Sequence, residues 1–278
     1  MKSELAPGAA TLAAAVRAVS AVAHDGRSAD VALLEAESRQ DRSAVRAIAL
    51  GTLRWYLRLA PAMASLVARP AADIDPQLRA LLITAAHQIE HSRGAPEVSV
   101  HLAVDAARAL GLQRATGFVN AVLRRFVRER ESLLSAVDTD TATRHAHPEW
   151  FVNSVISAWP EAAETIFMAN NRHPPMTLRV APFSPDAREE YLRELASSGR
   201  VARSVEWCAE ALQVEHAVSV SSLPGFESGR VSVQDAGPTL DVRSPRPIRG
   251  QYVLIWLTGL PREAGTTADR FRGGVGQV

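Results

Sequence analysis

Over residues 1–135, apolar side chains recur at intervals of three and four, separated by short polar or Pro/Gly breaks. Ala9–Ala23 is alanine-rich, with Leu12, Val16 and Val19 at helical spacing. Asp41–Leu59 carries Val45, Ile48, Leu53, Tyr56 and Leu57 with arginines between them, and Asp75–His91 opens Asp-Pro before Leu78, Leu81, Leu82, Ala85 and Ile89. Glu97–Leu110 follows a Gly-Ala-Pro turn, and Gly117–Leu134 is the most strongly amphipathic stretch. This periodicity predicts an all-α bundle.

The period changes further on. A polar stretch, Thr139–His147, leads into two short predicted helices, Pro148–Trp159 and Pro160–Asn170. Met176–Ala181 alternates as a strand and Pro185–Ser198 is an amphipathic helix. Leu212–Val220 and Arg230–Val233 read as further strands, joined by a turn at Leu223–Gly229. The pattern predicts a small α+β unit with an open antiparallel sheet covered by helices on one face. After Ala236 the only apolar run is Tyr252–Leu257, in a background of Pro, Gly and Arg; a poorly ordered tail is the expectation for 237–278.

Composition narrows the possibilities. The chain has 278 residues, 47% of them apolar, enough for real cores. No run approaches the roughly 18 apolar residues of a membrane span. Met1–Pro7 lacks the charged-then-apolar pattern of an export signal, so a soluble cytoplasmic chain without a membrane partner is expected. Net charge is +1, with 31 basic and 30 acidic residues, so any polyanion contact must be local. One cysteine excludes an intramolecular disulfide and a multi-thiolate zinc site. Lys2 is the only lysine; the arginine bias fits a GC-rich genome.

The strongest local charge is on the predicted helix 117–134. Arg124, Arg125 and Arg128 cluster on the side away from Phe118, Val122, Phe126 and Leu133 or Leu134, which are expected to point inward, and Arg114 precedes them in the same positive patch. Such arginines can grip a phosphate backbone; a solvated helix face is the bland alternative. A second series, Arg42, Arg46, Arg54 and Arg58, lies on one predicted helix and has the same two readings.

Other candidate chemistry is weaker. His87 and His91 flank Glu90 in the order His-Gln-Ile-Glu-His, not the His-Glu-x-x-His of a zinc hydrolase. They read as core or capping residues, as do His145 and His147 before Pro148, and no metal is expected. Cys208 lies between Glu206 and Glu210, which disfavour a thiolate, and reads as passive. Gly273-Gly-Val-Gly276 has no strand before it or helix after it, so it is no phosphate cradle. No nucleophile–base pair stands out.

Several segments resemble the bacterial 16S rRNA (cytosine-C5) methyltransferase family, in the family's order. They are Ala49–Trp55, Ala85–Ile89, Ala95–Val104, Gly117–Arg125 (Gly-Phe-Val-Asn-Ala-Val-Leu-Arg-Arg), His147–Trp150, Asn170–Val180 and Leu223–Ala236. The resemblance implies an N-terminal helical domain like the antitermination factor NusB, which binds RNA, then a small sheet-containing subdomain. In the family these precede an S-adenosylmethionine-binding Rossmann domain with an Ala-Pro-Gly-Gly-Lys donor loop, a Pro-Cys nucleophile and a Thr-Cys cysteine that assists product release. An arginine usual early in the family's first helix is replaced here by Gly8-Ala-Ala-Thr-Leu12, with only Arg17 nearby.

The match stops at Ala236, and Cys208 precedes the domain that carries both thiols, so no catalytic residue transfers to this sequence. The tail resembles an out-of-frame reading of GC-rich DNA. One back-translation of Leu254–Gly265, shifted by two bases, gives a sequence similar to the donor loop. The expectation is therefore a NusB-like bundle over 1–138, linker helices and an α+β subdomain over 139–236, and an aberrant tail over 237–278, with no intact Rossmann domain. Functionally it is a truncated family member that keeps the RNA-binding half, with Arg46, Arg54, Arg114, Arg124, Arg125 and Arg128 as candidate contacts to RNA, 16S rRNA by resemblance. No cofactor is expected in this chain, and the chain alone is expected to be inactive. The rival readings are a stand-alone RNA-binding or antitermination-like module and a non-functional relic.

Overall fold

The computed structural model describes residues 6, 8–36, 41–68, 70, 73–182, 184–234 and 236. The predicted tail over 237–278 lies outside the described residues. The chain divides into two compact units between Arg172 and His173.

The first unit is helical: α1 (Ala9–Ala23), α2 (Ala29–Ala36), α3 (Arg42–Ala64), α4 (Pro76–His91), α5 (Pro96–Ala109), α6 (Thr116–Val137), α7 (Thr141–Arg144), α8 (Glu149–Ala158) and α9 (Ala163–Asn171). Its organising element is α1, which packs against α2, α3, α4 and α5. The alanine-rich sequence explains this. Ala9, Ala13, Ala14, Ala15 and Ala18 are buried together with Leu12, Val16 and Val19, so α1 is covered on nearly every side. Small side chains let the neighbouring helices approach closely, and a helix apolar all round belongs inside. One core cluster runs from α1 through Leu81, Ile83, Leu123 and Phe126.

The helix ends follow local chemistry. Asp75 caps α4 by accepting the Leu78 N–H at 3.0 Å, with Pro76 in the first turn. At the end of α5, the Leu112 N–H donates to the Ala107 carbonyl at 2.8 Å and the Gly111 N–H to the Arg108 carbonyl at 3.1 Å. Gly111 sits at φ 80°, the left-handed residue that this double bond requires.

Three elements of this unit depart from expectation, one of them α7, a single helical turn inside the polar stretch Thr139–His147. Helix α3 runs past Leu59 to Ala64, through Pro61, because a proline near a helix end sacrifices only one turn's bonding. Helix α2 was not anticipated: it has eight residues, with only Ala32 and Leu33 buried.

The second unit contains β1 (Met176–Val180), α10 (Pro185–Ser197), β2 (Ala202–Val205), β3 (Cys208–Val214) and β4 (Val231–Val233). The sheet is antiparallel in the order β2-β3-β1-β4, with Leu178 opposite Leu212 on one side and Val233 on the other. Helix α10, capped by Ser184, lies on β1, β2 and β3. Its Tyr191 and Leu195 meet Leu178, Val180, Leu212 and Val231 in a second core. The second predicted strand sits earlier than expected, at Cys208–Val214 instead of Leu212–Val220. It is the second arm of a hairpin whose first arm, β2, is a four-residue, largely polar edge strand that carries no alternation to read. The two linker helices α8 and α9 fall within the first unit by compactness.

Candidate nucleic-acid interface

Helices α5 and α6 form a hairpin turned by Gly111 and the short 3₁₀ turn Gln113–Ala115. The buried face of α6 is Val119, Val122, Leu123, Phe126 and Leu134. Phe118, expected inward, is 38% exposed. The apolar stripe is centred one position later, on Val119, and this rotation leaves Phe118 at its margin.

Opposite that stripe, Arg124, Arg125 and Arg128 are exposed. They are not equivalent. Arg125 is paired with Glu129 one turn on, at 3.1 Å. Among the described residues Arg124 bonds only the Asn120 side-chain carbonyl, at 3.0 Å. Arg128 has no hydrogen bond or ion pair to any described residue. Arg124 and Arg128, one helical turn apart, line a hollow of about 180 Å³ with Glu97, Val100 and Val127. Val127 and Arg128 also border a neighbouring hollow of about 460 Å³, with Pro96, Arg130 and Ser132 on its walls. Arg114 is exposed on the 3₁₀ turn ahead of α6 and borders neither hollow.

The arginines of α3 are mostly committed elsewhere. Arg58 makes two 2.7 Å bonds to the Asp138 carboxylate at the end of α6 and lies 5.8 Å from the centre of the Trp55 ring. Arg46, half-buried, is 3.8 Å from Asp30 on α2. Arg54 is half-buried, with no carboxylate partner among the described residues, and raises the cost of charging His87. The structure thus brings Arg124 and Arg128 together and leaves Arg46 and Arg54 outside their hollows. Glu97 was not singled out from the sequence. It lies 27 residues before Arg124, and only the α5–α6 pairing brings them together.

The four histidines singled out from the sequence are packing groups. His87 is buried, and burial followed by the charges of His91 and Arg54 lowers its pKa to about 4. His91 stacks on Trp55 with ring centres 5.2 Å apart. His145 is buried, with Nε2 3.0 Å from Glu164, and His147 stacks on Phe151. Among the described residues no group of three His, Cys, Asp or Glu side chains is placed to hold a metal ion. Cys208 is buried with Val205, Ala211 and Ala236. Nor is any described helix long and apolar enough to cross a membrane.

Comparison with known proteins places these features. Residues 10–128 match the NusB family, and residues 147–221 match the ferredoxin-like domain of the RsmF/B-like methyltransferases. The ribosomal RNA small subunit methyltransferase B of Pseudomonas putida is 36% identical over 87% of this chain and 56% of its own length. That of Vibrio vulnificus is 33% identical over 87% of this chain and 57% of its own. The chain belongs to the ribosomal RNA small subunit methyltransferase B family. It spans about half the length of these relatives.

The family match contains both units in order: the helical bundle with its Arg124–Arg128 face, and the antiparallel sheet with α10. The second match runs from residue 147 to 221, so it takes in α8 and α9 as well as β1, α10, β2 and β3, and ends before β4. The crystal structure of PH0851 has the same fold over 83% of this chain and 54% of that one, with a TM-score of 0.55 at 18% identity.

Proposed function

We propose that this chain is the RNA-binding part of a 16S rRNA cytosine-C5 methyltransferase system. In this reading the α5–α6 hairpin of the NusB-family bundle grips the phosphate backbone. The observation that carries it is the pair Arg124 and Arg128, two exposed guanidiniums one turn apart with no carboxylate partner among the described residues. An unpaired arginine gains most from a phosphate, because it gives up no existing ion pair. Arg114 extends the same positive edge, while Arg125 is a weaker contributor because Glu129 already neutralises it. Arg46 and Arg54 contribute long-range attraction only.

The methyl donor is not part of what these 278 residues bind. The family's chemistry uses two cysteines beside the donor, and this chain has the single buried Cys208. S-adenosylmethionine is therefore a ligand of the full-length relatives, and the 278-residue chain alone transfers no methyl group. Binding in the cytoplasm, where ribosomal RNA is made, fits the same reading.

The experiment is fluorescence anisotropy with hairpin fragments of 16S rRNA, run beside calorimetric titration of S-adenosylmethionine. Binding of at least one fragment, weakened by Arg124→Ala and Arg128→Ala, with no heat from the donor, supports the proposal. Donor binding or methyl transfer by the purified chain overturns its second half.

A further inference from the structure

The hollow between α5 and α6 is bipolar. It is lined by two cationic residues, Arg124 and Arg128, and by one anionic residue, Glu97. Glu97 is exposed in the first turn of α5, and no hydrogen bond or ion pair joins it to either arginine or to any other described residue. The remaining lining is apolar: Val100, which is buried, and Val127. Opposite charges facing one space without neutralising each other call for a ligand with acceptors at one end and donors at the other.

A bare polyanion does not meet that demand, because Glu97 repels it. A cation does not, because two arginines repel it. A nucleotide does: its phosphates accept from the arginines, its base offers a flat face to Val100 and Val127, and the edge of the base donates N–H groups. The space, about 180 Å³, suits one base. A base paired in a duplex has its Watson–Crick edge occupied, so the base must be unpaired.

Base identity follows from donor geometry. Guanine presents two adjacent donors, the ring N1–H and the 2-amino group, which match the two oxygens of a carboxylate. Cytosine and adenine offer one amino group, and uracil one ring N–H. We infer that the Glu97–Arg124–Arg128 hollow is a subsite for an unpaired guanosine of single-stranded RNA, with Glu97 as its specificity-determining residue. The inference rests on the RNA-binding reading above and adds which base is read and by what.

The test uses the 278-residue chain and fluorescent uridine-rich strands about ten nucleotides long. Each carries a central guanosine, inosine or uridine. Guanosine is expected to bind about fivefold or more tighter than uridine, with inosine, which lacks the 2-amino group, between them. Glu97→Ala removes that ranking, whereas Arg124→Ala and Arg128→Ala weaken all three strands by the same factor. Circular dichroism confirms that each variant is folded. Equal affinity for the three strands overturns the inference while leaving the RNA-binding reading standing. So does a Glu97→Ala variant that tightens all three but keeps the guanosine preference. No binding to any strand or hairpin overturns both.

Discussion

Gly51 on α3 lies directly over the ring of His87 on α4: a Cβ added at Gly51 would stand 2.7 Å from the histidine Cε1 and 3.0 Å from Nε2. The glycine is there because the imidazole is, since the ring is buried and cannot swing into solvent. Gly51→Ala is expected to cost about 1–3 kcal/mol, the usual range for overpacking, although alanine is the better helix former. Urea denaturation measures it. A variant as stable as the parent would show that the two helices part freely at this crossing.

The same histidine gives the stability a pH dependence. Its pKa is lowered to about 4 in the folded chain, first by burial, against 6.5 for an ordinary histidine. The unfolded chain therefore binds more protons at His87 between those values, and stability falls as pH drops from 6.5 towards 4. The full contribution is present above 6.5. The fall in stability from this group is about 2–3 kcal/mol, and His91, lowered by burial in the same direction, adds to it. Chemical denaturation at intervals across that window, repeated on His87→Gln, checks the assignment: the variant should show a flatter profile.

Arg58 and Asp138 join the middle of the bundle to the end of α6 across 80 residues of sequence, and both are largely shielded. Removing one partner leaves the other charge half-buried, so Arg58→Ala or Asp138→Ala is expected to cost about 1–3 kcal/mol. The double variant should cost less than the sum of the two. RNA affinity of the Arg58 variant should match that of the parent, which separates this structural arginine from the two on α6.

In the second unit, the Tyr191 hydroxyl donates to the Pro224 carbonyl at 2.9 Å and ties α10 to the turn before β4. Tyr191→Phe keeps the ring in the core and removes the bond, at a cost of about 1 kcal/mol. A thermal melt that does not move would show that Pro224 is held by its neighbours alone.

Much of the fold was legible because its periodic stretches are long. Residues Ala9–Ala23 could be bounded from sequence, since an alanine-rich run with Leu12, Val16 and Val19 has one helical reading. Helix α2 was not legible, since eight residues with two buried side chains give too few repeats for a period to emerge, and β2 was not, since its four residues are largely polar and show no alternation. Phe118 misled because it follows the i, i+4 series of Val122 and Phe126, whereas the stripe that packs begins at Val119.

The candidate site divides in the same way. That Arg124 and Arg128 share a face follows from their spacing alone. That Arg125 is neutralised by Glu129 was also within reach, four residues on. The partners of Arg58 and Arg46, Asp138 and Asp30, come from other parts of the bundle, and no local pattern connects them. Glu97 enters the site through the turn at Gly111, which folds α5 back along α6. Its contribution appears only with the hairpin.

If two unpaired guanidiniums on α6 hold an RNA backbone, the salt dependence of RNA-hairpin affinity must differ between the parent chain and the Arg124→Ala/Arg128→Ala double variant. Each phosphate that an arginine no longer neutralises should reduce the slope of log affinity against log salt by about 0.7–0.9. The expected result is a slope shallower by roughly 1.4–1.8 in the double variant, with the fold intact. An unchanged slope and affinity would contradict RNA binding through Arg124 and Arg128 and place any RNA contact elsewhere on the chain.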